Sequence, residues 1–164
     1  MTMQTINQFI YISASQQRMH CFENDTAYKI YPISTGENGL GEQNGSGCTP
    51  RGWHQIYSRI GLDVPINTVF VSREPTGELY SSMLASKYPK RDWILTRILQ
   101  LDGLEEGRNR GGEVDSLRRY IYIHGTPDTI ELGKPASHGC IRMRNVDVIE
   151  LAEWVTIGTR VYIE

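Results

Sequence analysis

Short apolar runs separated by polar, turn-forming stretches fill the first third of this chain, and that rhythm predicts strands. Phe9-Ile10-Tyr11-Ile12 is apolar throughout, and Arg18 to Phe22 alternates in part. Tyr28 to Ser34 sets Ile30, Pro32 and Ser34 against Tyr31 and Ile33. Ser13-Ala14-Ser15-Gln16-Gln17 and Glu23-Asn24-Asp25 supply turn chemistry between them, so a strand meander is expected. The tract Gly36 to Gly52 is rich in Gly, Asn, Ser and Thr and reads as a long loop, a kind of segment often tied to function. It ends in Thr49-Pro50-Arg51-Gly52-Trp53, a turn able to launch a further strand through Ile56.

The middle of the chain is less regular. Thr68 to Ser72 reads as a strand, and Asp92 to Leu101 fits either a strand or a buried helix. Ile94, Thr96 and Ile98 favour the strand. Asp102 to Asp115, with its glycines and mixed charges, is a second long loop. Tyr120-Ile121-Tyr122-Ile123 is the strongest strand signal and delivers His124 at its end. Near the C-terminus, Asn145 fits a helix N-cap, Asp147 and Glu150 suit the first turn, and Val148, Ile149, Ala152 and Val155 form an apolar face. Gly158-Thr159 stops that helix, and Arg160 to Ile163 is a closing strand. The whole reads as a mainly β fold with one or two helices, in one domain over residues 1–164.

Composition narrows the class. With 39% apolar and 22% charged residues the chain is that of a globular protein, and a net charge of −2 gives no reason to expect nucleic acid as a partner. No run of roughly 18 apolar residues exists, so no membrane span is expected. The opening MTMQTINQFIYISASQQ lacks the basic start and apolar run of a secretory leader, which points to the cytoplasm. Cys21, Cys48 and Cys140 are odd in number and irregularly spaced, so a disulfide framework is not expected and no metal site is signalled.

The chemistry concentrates in Ser137-His138-Gly139-Cys140-Ile141-Arg142. A cysteine attacks as the thiolate, so a nearby base or positive charge is needed, and His138 and Arg142 each lie two residues from Cys140. Gly139 permits backbone geometry that a side chain would hinder, and successive N–H groups in such a turn can converge on an oxyanion. A cysteine beside a histidine is also a common packing arrangement. His124, closing an apolar strand before Gly125-Thr126-Pro127, is better placed at a rim than in a core, where it could serve as a general base. Cys21 and Cys48 read as packing residues and His20 and His54 as core or surface histidines, while Trp53, Trp93 and Tyr88 are candidates to line a cleft.

The stretch from Ile123-His124-Gly125-Thr126 through Ser137-His138-Gly139-Cys140-Ile141-Arg142 resembles the signature of the L,D-transpeptidase catalytic domain (YkuD) family. The early strands, Tyr31 to Gly36, Thr49 to Gly52 and the ending from Val155 to Ile163 are similar to that family too, with Asp63 to Asp115 the least typical part. The resemblance implies a β-sandwich or barrel-like domain with a cleft over Cys140. It implies that Cys140 attacks the carbonyl between an L-diamino acid centre and a terminal D-Ala in a peptidoglycan stem tetrapeptide or muropeptide. His124 would carry the proton, the Gly125 carbonyl would orient its ring, and the Gly139 and Cys140 N–H groups would bind the oxyanion. His138, Ser137 and Thr126 would shape the pocket. Arg142 would hold a substrate carboxylate, a local salt bridge being the alternative. No cofactor is implied, and carbapenems are expected inhibitors. A leaderless chain favours water as acceptor, making an L,D-carboxypeptidase of peptidoglycan recycling. An exported cross-linking transpeptidase, a non-catalytic stem-peptide-binding module and zinc binding by His124, His138 and Cys140 are the alternatives.

Overall fold

A computed structural model describes residues 6–164; the first five residues of the opening stretch read for a leader lie outside it. The N-terminal meander forms as expected, as β1 (Gln8–Ser13), β2 (Arg18–Glu23) and β3 (Thr26–Pro32), paired antiparallel in sequence order. The turn after Pro50 launches β4 (Gly52–Ile60), which runs beyond Ile56 through a bulge at Tyr57. Next come β5 (Thr68–Val71), β6 (Glu74–Leu79), α1 (Ser82–Lys87) and β7 (Ile94–Gly103). A single 3₁₀ turn, Gly112–Val114, precedes β8 (Tyr122–Thr126), β9 (Ile141–Arg144), α2 (Asn145–Trp154) and β10 (Arg160–Ile163). The fold is mainly β with two helices, as the pattern predicts.

The strand order is β3-β2-β1-β10-β4-β7-β5-β6, and β8 carries the sheet on from β7 to β9. The long strand β7 organises this curl. Along one edge it pairs with β4 at Ile98 to Gly103 and with β5 at Ile94 and Leu95. Along the other it pairs with β8, from Leu95 against Gly125 to Gln100 against Tyr122. The period-two alternation of β7 and β8 therefore serves two cores. Leu99, Leu101, Ile121 and Ile123 face a main core with Ile10, Ile12, Ile141 and Met143, closed by Val148, Leu151 and Ala152 of α2. Ile98 and Tyr122 face a smaller cluster around Phe70, against which Cys140 packs.

Two expectations are corrected. His124 does not end its strand at a rim: it is the middle residue of β8, 2% exposed and flanked by strands on both sides. The extended backbone continues because parallel pairing with β9 carries Gly125 and Thr126 along. Asn145 is not the N-cap of α2; Arg144 holds that position without a side-chain cap, and Asn145 is the first helical residue, its amide buried. The strand expected at Thr68 to Ser72 forms as β5, whereas β6 and α1 carry no sequence expectation, although Ser81 caps α1 by accepting from the Leu84 N–H at 3.1 Å.

His54 lies inside β4, fully buried between the Gly52 carbonyl (3.0 Å from Nδ1) and the Ser116 hydroxyl (2.8 Å from Nε2). Burial lowers its pKa to about 4. Because the folded value lies below the unfolded one, its contribution is fully present above pH ~6.5 and is lost as pH falls towards 4, about 3 kcal/mol in all. Following the ring protons of His54 by NMR should give a midpoint near 4, with the urea midpoint dropping over the same window. A ring titrating near 6.5 would refute this account.

Candidate functional site

The strands β8 and β9 run side by side in parallel, with Ile123 opposite Ile141 and His124 opposite Arg142. Paired residues in adjacent strands share a face, so Ile123, Ile141 and Met143 enter the main core while Tyr122, His124, Cys140 and Arg142 look the other way. One step back along that register sets Cys140 beside Tyr122, making the thiol and the imidazole diagonal neighbours. The Tyr122 N–H donates to Cys140 Sγ at 3.3 Å, and the thiol donates to the Tyr120 carbonyl at 3.3 Å. Among the described residues no hydrogen bond joins the thiol to His124.

The turn before β9 is tightly determined. The Ser137 hydroxyl donates to the Cys140 carbonyl at 2.6 Å and accepts from the Gly139 N–H at 3.2 Å, so that amide, expected at the oxyanion, already has a partner. Gly139 has φ 123°, and a Cβ there would sit 3.0 Å from the Cys48 carbonyl oxygen, so the position requires glycine. Beneath it Thr49 donates to the Gly139 carbonyl at 2.9 Å and accepts from the Gly36 N–H at 2.8 Å. The long loop from 36 to 52 thus forms the floor of the motif.

His124 Nδ1 lies 2.7 Å from the Gly125 carbonyl, which fixes the proton on Nδ1 and leaves Nε2 as the basic nitrogen. Gly125 must lack a side chain, since a Cβ would approach Asn145 Oδ1 to 2.4 Å and the Leu95 carbonyl oxygen to 2.6 Å. Asn145 completes the clamp: its Nδ2 donates to the Thr126 carbonyl at 2.9 Å, and its Oδ1 accepts from the Thr96 hydroxyl at 2.6 Å. Thr96 sits at φ 74°, an unusual conformation for a β-branched residue, at the irregularity in the β7–β8 pairing.

Burial depresses the pKa of His124, and the Gly125 hydrogen bond opposes that only in part. Burial raises the Cys140 thiol to about 11; Asp92 adds to the rise, while the Tyr122 N–H, Arg142 and Arg119 pull it down. The resting pair is therefore a neutral thiol and a neutral imidazole.

Arg142 is committed elsewhere. It pairs with Asp92 at 3.3 Å, donates to the Ala136 carbonyl at 3.2 Å, and has a side chain only 12% exposed. The salt bridge with Asp92 is therefore present, and Arg142 also lines the cavity that holds Trp93 and Thr126. His138 is 73% exposed, with Nδ1 3.4 Å from the same Asp92 carboxylate. This Asp92–His138 pair separates two cavities. One, about 380 Å³, lies over Cys140 and includes Arg73, Arg119, Tyr120 and Tyr122. The other, about 310 Å³, includes Tyr80, Trp93, Thr126 and Ile130. Trp93 lines this second cavity, whereas Trp53 packs against Phe9 and Tyr162 away from both. Cys21 is a core residue, and Cys48 is half-buried in the loop, its Sγ 3.5 Å from the Asn38 carbonyl. No group of three metal-ligating side chains occurs among the described residues.

The geometry agrees with the comparisons. Residues 7–163 match the YkuD family, described as the L,D-transpeptidase catalytic domain. The chain belongs to that family. It is 26% identical to YbiS of Escherichia coli over 161 residues, covering 96% of this chain and 44% of that protein. It is 52% identical to YkuD of Bacillus subtilis over 61 residues, or 34% of this chain and 37% of that one. The chain thus matches less than half of the length of these relatives. Its fold resembles L,D-transpeptidase 3 from Mycobacterium tuberculosis, solved with a faropenem-derived adduct, at a TM-score of 0.60 and 16% identity over 97% of this chain and 60% of that one. LdtMt1 in complex with imipenem gives a TM-score of 0.59 at 18% identity, covering 97% of this chain and 59% of that one.

Sequence reasoning missed Asp92, Asn145 and Arg73, whose roles depend on tertiary contacts. The clamp behind His124 makes a direct prediction. Gly125→Ala and Asn145→Ala should each cost about 3 kcal/mol, by overpacking and by leaving buried polar groups unpaired respectively. Differential scanning calorimetry should show a fall of roughly 6–12 °C in thermal midpoint for either variant. A midpoint within a degree of the unmodified protein would show that the clamp does not hold β8.

Proposed function

We propose that the chain is a cysteine acyltransferase acting on peptidoglycan stem tetrapeptides, with Cys140 as nucleophile and His124 as base. The carrying observation is the shared face of β8 and β9, on which an imidazole with a free Nε2 stands diagonal to a thiol that opens into a cavity. In the reaction, Nε2 takes the thiol proton as Sγ bonds to the carbonyl carbon of the L-diamino acid. The tetrahedral oxyanion collapses, the C–N bond to D-Ala breaks, and the proton passes from the imidazolium to the departing amine. A thioester and free D-Ala result. The Cys140 N–H is the donor we assign to the oxyanion, Gly139 supplying the turn rather than the amide. His138 and Thr126 contribute to the walls, and Ser137 acts on the site by holding the turn that carries Cys140.

Water then resolves the thioester, adding hydroxyl to the acyl carbon and returning a proton through His124 to sulfur, so that a tripeptide leaves. This is the L,D-carboxypeptidase reading, suited to soluble muropeptides recycled in the cytoplasm; it is supported by the half-buried position of Cys140 in a cleft that water reaches. The second cavity beyond Asp92 favours another reading, an amine acceptor and a cross-linked product. We take residues 1–164 as one catalytic domain. No helix among the described residues is long and apolar enough to cross a membrane.

Mass spectrometry of a tetrapeptide incubated alone and beside an amine acceptor tests both. Wild type should release D-Ala and Cys140→Ala none; His124→Ala should slow release about 10²–10⁴-fold. Tripeptide would mark hydrolysis, and a dimer transpeptidation. A carbapenem should add covalently to wild type and not to Cys140→Ala. Retention of D-Ala release by Cys140→Ala would end the proposal.

Protonation sets a second expectation. The base must be neutral and its pKa is depressed, so the rate should hold as pH falls past 6.5 and decline only below it. Iodoacetamide labelling of Cys140 should keep climbing above pH 9, as befits a thiol near 11. A labelling plateau already reached at pH 8 would contradict the neutral pair.

A further inference from the structure

The cavity over Cys140 has a cation available to a ligand, and it is not the one in the motif. Arg73 stands at the tip of the β5–β6 hairpin, where Ser72 and Arg73 both take positive φ (49° and 68°) and turn the chain tightly. Its guanidinium donates to the Tyr122 hydroxyl at 3.0 Å and lies over the Tyr120 ring, 4.7 Å from the centroid. Those two tyrosines also touch the thiol, through the Tyr122 N–H and the Tyr120 carbonyl, each 3.3 Å from Sγ. Arg73 is thereby held on the wall of the cavity that Cys140 also lines, and it is half-buried there.

The charges around this cavity do not balance internally. Asp92 is its one acidic wall residue, and it already faces Arg142 and His138. Arg119, on the opposite wall, is directed at the Cys48, Gly41 and Glu42 carbonyls of the floor loop. Neither Arg73 nor Arg119 makes an ion pair among the described residues. A guanidinium pre-set by a phenol and an aromatic face keeps donors free for a planar, two-oxygen anion.

We propose that Arg73 is the carboxylate anchor of the acyl-donor subsite, so that the preferred donor carries a free carboxylate on one of the two residues joined by its scissile bond. Two parts of a stem peptide can present one: the terminal D-residue, or a dicarboxylic diamino acid in the third position. The inference rests on the acyltransfer reading above and deepens it by giving the donor's charge. Arg142, the cation nearest the nucleophile in sequence, is left to hold Asp92.

The test compares three donors: a tetrapeptide with diaminopimelate in third position, the same peptide with a C-terminal amide, and its lysine counterpart. Release of D-Ala or D-alaninamide gives kcat and KM for wild type, Arg73→Ala and Arg73→Lys. Wild type should prefer the carboxylate-bearing donor of one or both pairs. Arg73→Ala should reduce that preference at least tenfold, mainly through KM, and Arg73→Lys should restore part of it. A wild-type enzyme indifferent to both carboxylates, or a preference that survives in Arg73→Ala, would overturn the assignment. If wild type releases nothing from any donor, the acyltransfer reading falls. The subsite is then read by calorimetric titration of the same peptides into Cys140→Ala protein with and without Arg73→Ala. Tighter binding of the acid that is lost with Arg73 supports the anchor, and equal affinities refute it.

Discussion

Four backbone pairs between β8 and β9 hold the candidate site together. Parallel strands cannot be joined by a tight turn, so the connection from Pro127 to Cys140 has room to leave the sheet and come back at a fixed register. The return is secured from outside: Ser34 exchanges hydrogen bonds with Arg142, and Ser137 accepts from the Glu37 amide. Shifting the register by one residue would exchange the two faces, sending Cys140 into the main core and Ile141 into the cleft. The hydrophobic demand of that core, which takes Ile123, Ile141 and Met143, is what forbids the slip.

The same burial that fixes the register sets the electrostatics. Removing the thiol and the imidazole from water disfavours the charged form of each, so the pair rests neutral, and the proposed reaction requires them to exchange a proton as bonding to carbon begins. Arg119 and the Tyr122 amide favour the thiolate, and Asp92 opposes it. Asp92 at the same time neutralises Arg142, so its effect on the cleft is divided between the nucleophile and the wall.

The motif was legible in the sequence because its parts are local: Ser137 to Cys140 form one turn whose hydrogen bonds run mostly among neighbours. The strand pattern was legible wherever apolar alternation met a core, as in β1, β2, β8 and β10. Asn145 misled because an Asn before an amphipathic run is a common cap, whereas here its amide bonds a carbonyl on another strand. Arg142 follows the cysteine by two residues, but its partner lies 50 residues away in the chain. Nothing in local pattern could pair it with Asp92. The region of β6 and α1 was obscure for a related reason: β6 is largely exposed, and α1 has no buried residues, so neither carries a clear amphipathic signature.

The β5–β6 hairpin is anchored through β5, whose Val69 and Phe70 are buried where they pair with Leu95 and Ile94, while β6 lies outermost and exposed. Cooperative opening of a segment costs in proportion to what it buries, and β6 and α1 bury almost nothing. The outer strand of that hairpin, β6, therefore belongs to a different stability class from β8 and β9. Its amides should exchange with solvent through local excursions, while those beneath the nucleophile wait for global unfolding. The cleft thus sets β8 and β9 against a hairpin whose outer strand can move without disturbing the registration of thiol and imidazole.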